Sequence, residues 1–392
     1  MQIVHFSTTR LAGAPIRLVR ALQAHTEHEV RLVDLERSDQ YGHDLVFSER
    51  PGEVVELCER ADVIHLHNYL DYGSTAFRPI DFAALRDRGK RFVRHFHSTP
   101  ETVAARMRTT ASDVLACPIP SLVINGYPER YYPRARVVRN VVPQDEPPYR
   151  PGEEWGPIVF TPSLPTSAWT QRWNTKGAPE TVALLRRVAR ATGCRVEVVE
   201  GRPLADVLEA KRRALAVVDD LVTGSFHLSG LEGLAVARPV LCHLDGRTRF
   251  VLAELTGSST SPFVDVRLEE AEDVLVHLVR TPEDARELGR ESREWLERNW
   301  ADRSLALEYA ALYEQLLEDP RLVARQPRLA VDGANRLAAV VVPDLIWHAR
   351  REAALRARPR RTKAVERAGA AYRAVLPMSF RRGLRRVMRR PL

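Results

Sequence analysis

Cysteine is scarce in this chain. Four occur in 392 residues, Cys58, Cys117, Cys194 and Cys242, far apart and with no C-x-x-C spacing. That pattern argues against a zinc site or a disulfide framework and fits a reducing cytoplasm, with the thiols as small core residues. No run of 18 uninterrupted apolar residues occurs, so a membrane-spanning helix is not expected. The opening MQIVHFSTTR lacks a basic region followed by an apolar stretch and a cleavage site, and reads as a first buried strand rather than a signal peptide. No zinc finger or basic face interleaved with aromatics is present, so nucleic acid is not an expected partner. Internal repeats of 20 to 50 residues are also missing, beyond a rough likeness of two halves.

What is present is ordinary globular sequence, 44% apolar and 28% charged, too long for one hydrophobic core. Two domains are therefore expected. The net charge of +8 is unevenly placed. From Arg350 onward there are 15 Arg and Lys against two Glu, so the residues before it carry a net −5. A mildly acidic body is followed by a strongly basic tail.

Apolar runs alternate with amphipathic segments along the first third. QIVHF, EVRLV, ADVIHLHN and RFVRHFHS read as strands, and APIRLVRALQAH has helical spacing at Ile16, Val19, Leu22 and His25. ASDVLACP and PSLVIN are weaker strand candidates. VVPQDEPPYRPGEEWG, with four prolines, marks a connector. The alternation then restarts: strands at PIVFTPS, RVEVVEG, LAVVDDLV and RPVLCHL, helices at APETVALLRRVARATG and PLADVLEAKRRA. Beyond residue 270 the sequence is helical. Strands alternating with helices imply two open parallel α/β sheets, whose ligands bind beyond the carboxyl ends of the strands.

Three clusters could carry chemistry. In VRHFHSTPE, His97 sits just past a strand, where an imidazole can donate to a ligand oxygen or take its proton, although a merely structural histidine fits as well and His65, His67 and His95 are equally placed. In TQRWNTKGAPETVALL, Lys176-Gly177 precedes a helix with Arg172 one turn upstream. Cations beside free helix-end amides suit a phosphate, against the alternative of a solvated lysine and a plain turn. In GSFHLSGLEGLAVARPVL, Ser229 and Glu232 satisfy the capping-box spacing, in which both serve only the helix backbone. A strand, a small-residue loop, a helix and another strand surround them, however, and a carboxylate at such a crevice can accept two ribose hydroxyls.

VVDDLVTGSFHLSGLEGLAVARPVL resembles the donor-site segment of retaining GT-B glycosyltransferases of the family 4 type. PSLPTSAWTQRWNTKG is similar to that family's phosphate-binding segment, FHST to its acceptor-side histidine segment, and VVRNVVP to the stretch entering its interdomain linker. The likeness spans roughly residues 1 to 320 in the right order. It implies an α/β fold of GT-B architecture, two Rossmann-like domains facing across a cleft: 1–142 on the acceptor side, a linker at 143–156, a nucleotide-sugar domain at 157–304, a helix at 305–320 packing back on the first domain, and a helical basic tail at 321–392. It also implies that Glu232 binds the nucleotide ribose, that Lys176, with Arg172, neutralises the diphosphate, and that backbone amides of His227, Leu228, Ser229 and Gly230 approach the phosphates or sugar. Gly13, in the amino-terminal loop, would lie against the donor, and His97 would contact the transferring sugar. No metal or cofactor is expected, because Lys, Arg and a helix end replace the cation. The chain departs from the family at Ser225, where an earlier glutamate is usual, at Arg238 in place of glycine, and at Gly13-Ala14-Pro15 in place of two glycines. The Arg172–Lys176 spacing is four rather than five.

The implied activity is transfer of a sugar from a nucleotide-diphosphate donor to an acceptor hydroxyl with retention, in polysaccharide or glycolipid assembly. Alternatives are another GT-B-like reaction, such as a sugar-nucleotide epimerase, and a non-catalytic sugar-nucleotide-binding partner of a polysaccharide assembly complex. The tail AAYRAVLPMSFRRGLRRVMRRPL sets apolar residues among paired arginines, a pattern that suits an amphipathic helix on an anionic membrane surface. The expectation is a cytoplasmic protein, peripheral on the inner face of the membrane, with a carbohydrate or lipid-linked acceptor. A solvated tail, or one docked on the acidic body, is the alternative.

Overall fold

A computed structural model describes residues 1–132, 134–163 and 176–324. Seven parallel strands build the first sheet: β1 (Gln2–Ser7), β2 (Glu29–Asp34), β3 (Leu45–Val46), β4 (Val63–His67), β5 (Arg91–Phe96), β6 (Ser121–Ile124) and β7 (Arg136–Val138), in the order β3-β2-β1-β4-β5-β6-β7. Five more form the second: β8 (Ile158–Phe160), β9 (Val196–Val198), β10 (Ala216–Val218), β11 (Val240–Cys242) and β12 (Val264–Asp265), in the order β12-β11-β10-β8-β9. β1 and β4 are buried on both faces, β4 along its whole length, as central strands of a helix-covered parallel sheet must be. Each sheet reverses its strand order once, between β1 and β4 and between β8 and β10. Those reversals open a crevice at the carboxyl ends.

The helix Ala14–His25 covers the first sheet and the helix Ala178–Thr192 the second, the latter stopped by Gly193 in the left-handed region. ASDVLACP, expected as a strand, is instead the helix Ala111–Ala116. The reason is a capping box: Thr110 Oγ1 accepts from the Asp113 amide and Asp113 Oδ2 accepts from the Thr110 amide, both at 3.1 Å. The proline-rich connector is firmly packed. Tyr149 is buried in the core, and Arg238 donates to the Gly152 and Glu154 carbonyls at 2.7 and 2.9 Å while its guanidinium lies 3.8 Å from the centre of the Trp155 ring. The helix Asp302–Glu318 reaches back to the first sheet, where the Tyr309 hydroxyl donates to the Arg139 carbonyl and Tyr313 meets His5 and His65. No helix among the described residues is long and apolar enough to cross a membrane. Arg172 and the basic tail beyond Ala324 lie outside the described residues; the expected tail's first residues belong to a short helix, Pro320–Ala324.

Candidate functional site

The carboxyl ends of both sheets face one cavity of about 670 Å³. His97 and Asn125 line it from the first sheet, Thr161, Lys176, Leu228 and Glu232 from the second. Three sequence-derived candidates far apart in the chain, His97, Lys176 and Glu232, therefore line one cavity.

Lys176 and Gly177 both adopt left-handed backbone (φ 58° and 60°), which turns the chain sharply into the helix Ala178–Thr192 and leaves the lysine buried against the sheet. Its Nζ donates to Asp219 Oδ1 at 2.6 Å and to the Thr161 carbonyl at 3.3 Å. Thr161 follows β8 and Asp219 follows β10, so the ammonium straddles the strand-order reversal of the second sheet. Burial pushes the Asp219 carboxyl up, but Lys176 and His227 outweigh it and hold the group well below the usual range.

Glu232 lies on the helix Leu228–Ala235 and is buried. Arg17 Nη2, from the first lobe, donates to its Oε1, and Lys211 Nζ to its Oε2, each at 2.6 Å. Burial opposes ionisation, yet the two cations keep its pKa below the ordinary value. The capping box read from the sequence does not form: Ser229 is the second residue of the helix, His227 is the N-cap, and the Ser229 hydroxyl and carbonyl accept from Lys211. A carboxylate has about four lone-pair directions, so two remain for hydroxyl donors.

The helix end differs from expectation. The His227 amide donates to Asp219 Oδ2 at 2.6 Å, and the Gly230 amide turns back to the His227 carbonyl at 2.9 Å. Of the four amides from His227 to Gly230, those of Leu228 and Ser229 have no hydrogen-bond partner among the described residues, and both residues line the cavity. Gly13 is also displaced from its expected role. It caps the helix Ala14–His25 in the left-handed region, its amide donates to the Arg10 carbonyl, and a Cβ there would meet Tyr41 at 2.8 Å. Its neighbours Leu11, Ala12 and Ala14 line the cavity instead. Ser225, at the position of the usual earlier glutamate, is fully buried under Gly126 of the first lobe.

Arg17, Lys211 and Asp219 are site residues that sequence reading missed. Lys211 carried a signal: on the helix Leu204–Arg212 it occupies the apolar stripe with Leu204 and Leu208. A lysine in a core position needs a buried anion. Behind the cavity-lining His97, His5, His65, His67 and His95 gather along β1, β4 and β5. Two triads, His5–His65–His67 and His67–His95–His97, bring ring nitrogens within 4.8 Å of one another. Burial lowers the His97 pKa to about 3, so the ring is neutral near pH 7.

No family model and no curated protein matches the sequence. Solved structures do match. The chain is similar to sucrose-phosphate synthase from Thermosynechococcus elongatus (16% identity, TM-score 0.50, covering 81% of this chain and 99% of that one). It is similar to HepE from Anabaena in complex with UDP and glucose (12%, TM-score 0.52, 80% and 100%). It is also similar to an alpha-glucosyltransferase in complex with UDP and a 13-mer DNA containing a HMU base (10%, TM-score 0.52, 80% and 98%). At these identities the likeness concerns architecture: the chain has the two-lobed GT-B fold of glycosyltransferases.

Proposed function

We propose that the protein transfers a sugar from a nucleotide-diphosphate donor to an acceptor hydroxyl, with retention of configuration. The observation that carries this reading is the convergence on one cavity of a lysine at a strand-order reversal, two unpaired helix-end amides and a carboxylate. Amides and ammonium favour a diphosphate, and they stabilise it most as charge develops on the leaving group. Glu232, already ionised and oriented by Arg17 and Lys211, accepts from the ribose hydroxyls. His97 contacts the transferring sugar from the opposite lobe. Arg172 adds a second cation to the diphosphate, and no metal is required for its neutralisation. UDP in the complexes of HepE and the alpha-glucosyltransferase makes uridine diphosphate sugars the first donors to test.

The acceptor is a carbohydrate or a lipid-linked glycan in polysaccharide or glycolipid assembly, with the basic tail holding a cytoplasmic protein at an anionic membrane. The DNA in one neighbour's complex weakens the expectation that nucleic acid has no part. A second reading, binding without turnover, is favoured by Ser225, because no carboxylate occupies that buried position. Calorimetry with a panel of nucleotide sugars, followed by a sugar-release assay, separates the two. Binding with release supports transfer, binding without release supports the second reading, and no binding overturns both.

A further inference from the structure

The buried histidines form a continuous hydrogen-bonded chain. His65 Nδ1 lies 2.8 Å from the Tyr313 hydroxyl, which lies 3.3 Å from His5 Nε2. His5 Nδ1 is 3.1 Å from His67 Nε2, and His67 Nδ1 is 3.1 Å from His97 Nε2. Ring centres in the last two pairs are 5.4 and 5.3 Å apart. The two ring radii account for what remains beyond the nitrogen–nitrogen distance, so these rings meet edge to edge with nitrogens aimed at each other. Lone pairs opposed in this way do not converge on a point where an ion could sit. The geometry therefore favours shared protons over a metal in the two triads.

We infer that Tyr313, His5 and His67 are positioning residues that fix which ring nitrogen of His97 bears the proton. A neutral imidazole has one donor and one acceptor, so with the Tyr313 hydroxyl donating to one histidine and accepting from the other, each link dictates the next and two directions remain. The free end decides between them. His65 Nε2 is buried with no hydrogen-bond partner among the described residues. If Tyr313 donated to His65 Nδ1, that Nε2 would carry an orphaned N–H, the rarer defect in buried groups. The chain instead runs from His65 Nδ1–H to Tyr313, from the Tyr313 hydroxyl to His5 Nε2, from His5 Nδ1–H to His67 Nε2, and from His67 Nδ1–H to His97 Nε2. His97 is left with its proton on Nδ1 and faces the cavity as a donor to a ligand oxygen, not as a base. The inference deepens the reading of His97 as a sugar contact and rests on it for its functional meaning, but the tautomer is testable without substrate.

The experiment is long-range ¹⁵N–¹H correlation of the histidine rings in the full chain at neutral pH, with His97 assigned by its loss in His97→Gln. The native protein is expected to hold His97 in the Nδ1–H form by a ratio on the order of tenfold, about what one net hydrogen bond supports. His67→Leu, which removes the ring that donates to His97 Nε2, is expected to bring that ratio toward parity; should that variant not fold, His67→Phe serves the same purpose. A native Nε2–H form, or a ratio unmoved in a folded variant, overturns the inference. The expected tautomer in a protein that transfers no sugar would leave the inference standing and count against the proposed function alone.

Discussion

Arg17 and Glu232, 215 residues apart, meet at 2.6 Å and join the two lobes through a buried ion pair. Lys211 closes the triad from the other side. Taking one member away leaves the others charged and dry, which typically costs about 3–5 kcal/mol. Glu232→Ala is therefore expected to lose stability on that scale, and a double-mutant cycle with Arg17→Ala to show coupling of about 0.5–3 kcal/mol. Urea unfolding followed by tryptophan fluorescence reads both. Because the Glu232 pKa is lowered on folding, its contribution is present above the unfolded carboxyl value of about 4.3 and is lost as pH falls through the folded value.

Glu129 has the opposite sign. Burial raises its carboxyl to about 7, against the pull of Arg130 and Arg247. The folded protein then binds a proton that the unfolded chain has released. Stability should fall as pH rises from about 4.5 to 7, by up to about 1.4 kcal/mol per unit. Glu129→Gln is expected to flatten that slope. An unchanged pH–stability curve in the variant would count against the assignment.

Gly177 fixes the turn that buries Lys176. A Cβ there would fall 2.2 Å from Val222 Cγ2. Gly177→Ala should cost about 1–3 kcal/mol by overpacking, and Gly177→Ala/Val222→Ala should recover part of it. Thermal melts of the two variants make the comparison.

The helix-end amides can be tested one at a time. Proline is tolerated at the first helical position, and His227 already has the extended backbone that a following proline prefers (φ −125°, ψ 170°). Leu228→Pro thus deletes one unpaired donor while keeping the helix. A hydrogen bond to a charged group contributes about 1.5–3 kcal/mol, so diphosphate affinity should drop at least tenfold. Affinity for the corresponding nucleoside should change little. Equal losses for both ligands would mean that the amide does not meet the phosphates.

The periodicities that place Ala14–His25 and Ala178–Thr192 are local, and both helices are legible in the sequence. So are the cavity residues, since His97 follows a strand, Lys176 precedes a helix and Glu232 lies on a short helix between two strands. The partners were hidden for a physical reason. Arg17 lies inside an ordinary amphipathic helix, and only the fold brings its distant carboxylate into reach. Asp219 was read as the interior of a strand, whereas β10 stops at Val218 and frees that side chain for Lys176. ASDVLACP misled because its apolar residues alternate weakly, while the capping interaction that decides for a helix begins one residue upstream. The histidine chain needed the parallel register that sets His5 beside His65 and His67 beside His95.

The most direct test is calorimetric titration of uridine diphosphate and of uridine into the native protein and into Lys176→Met/Asp219→Asn, a pair of changes that removes the ammonium without stranding its counter-charge. The native protein is expected to bind the diphosphate at least about a hundredfold more tightly than the nucleoside, as several charge-assisted hydrogen bonds would give. The double variant should lose most of that difference while binding uridine as before. Equal affinity of the native protein for the two ligands would contradict a diphosphate site at Lys176 and the Leu228–Ser229 amides.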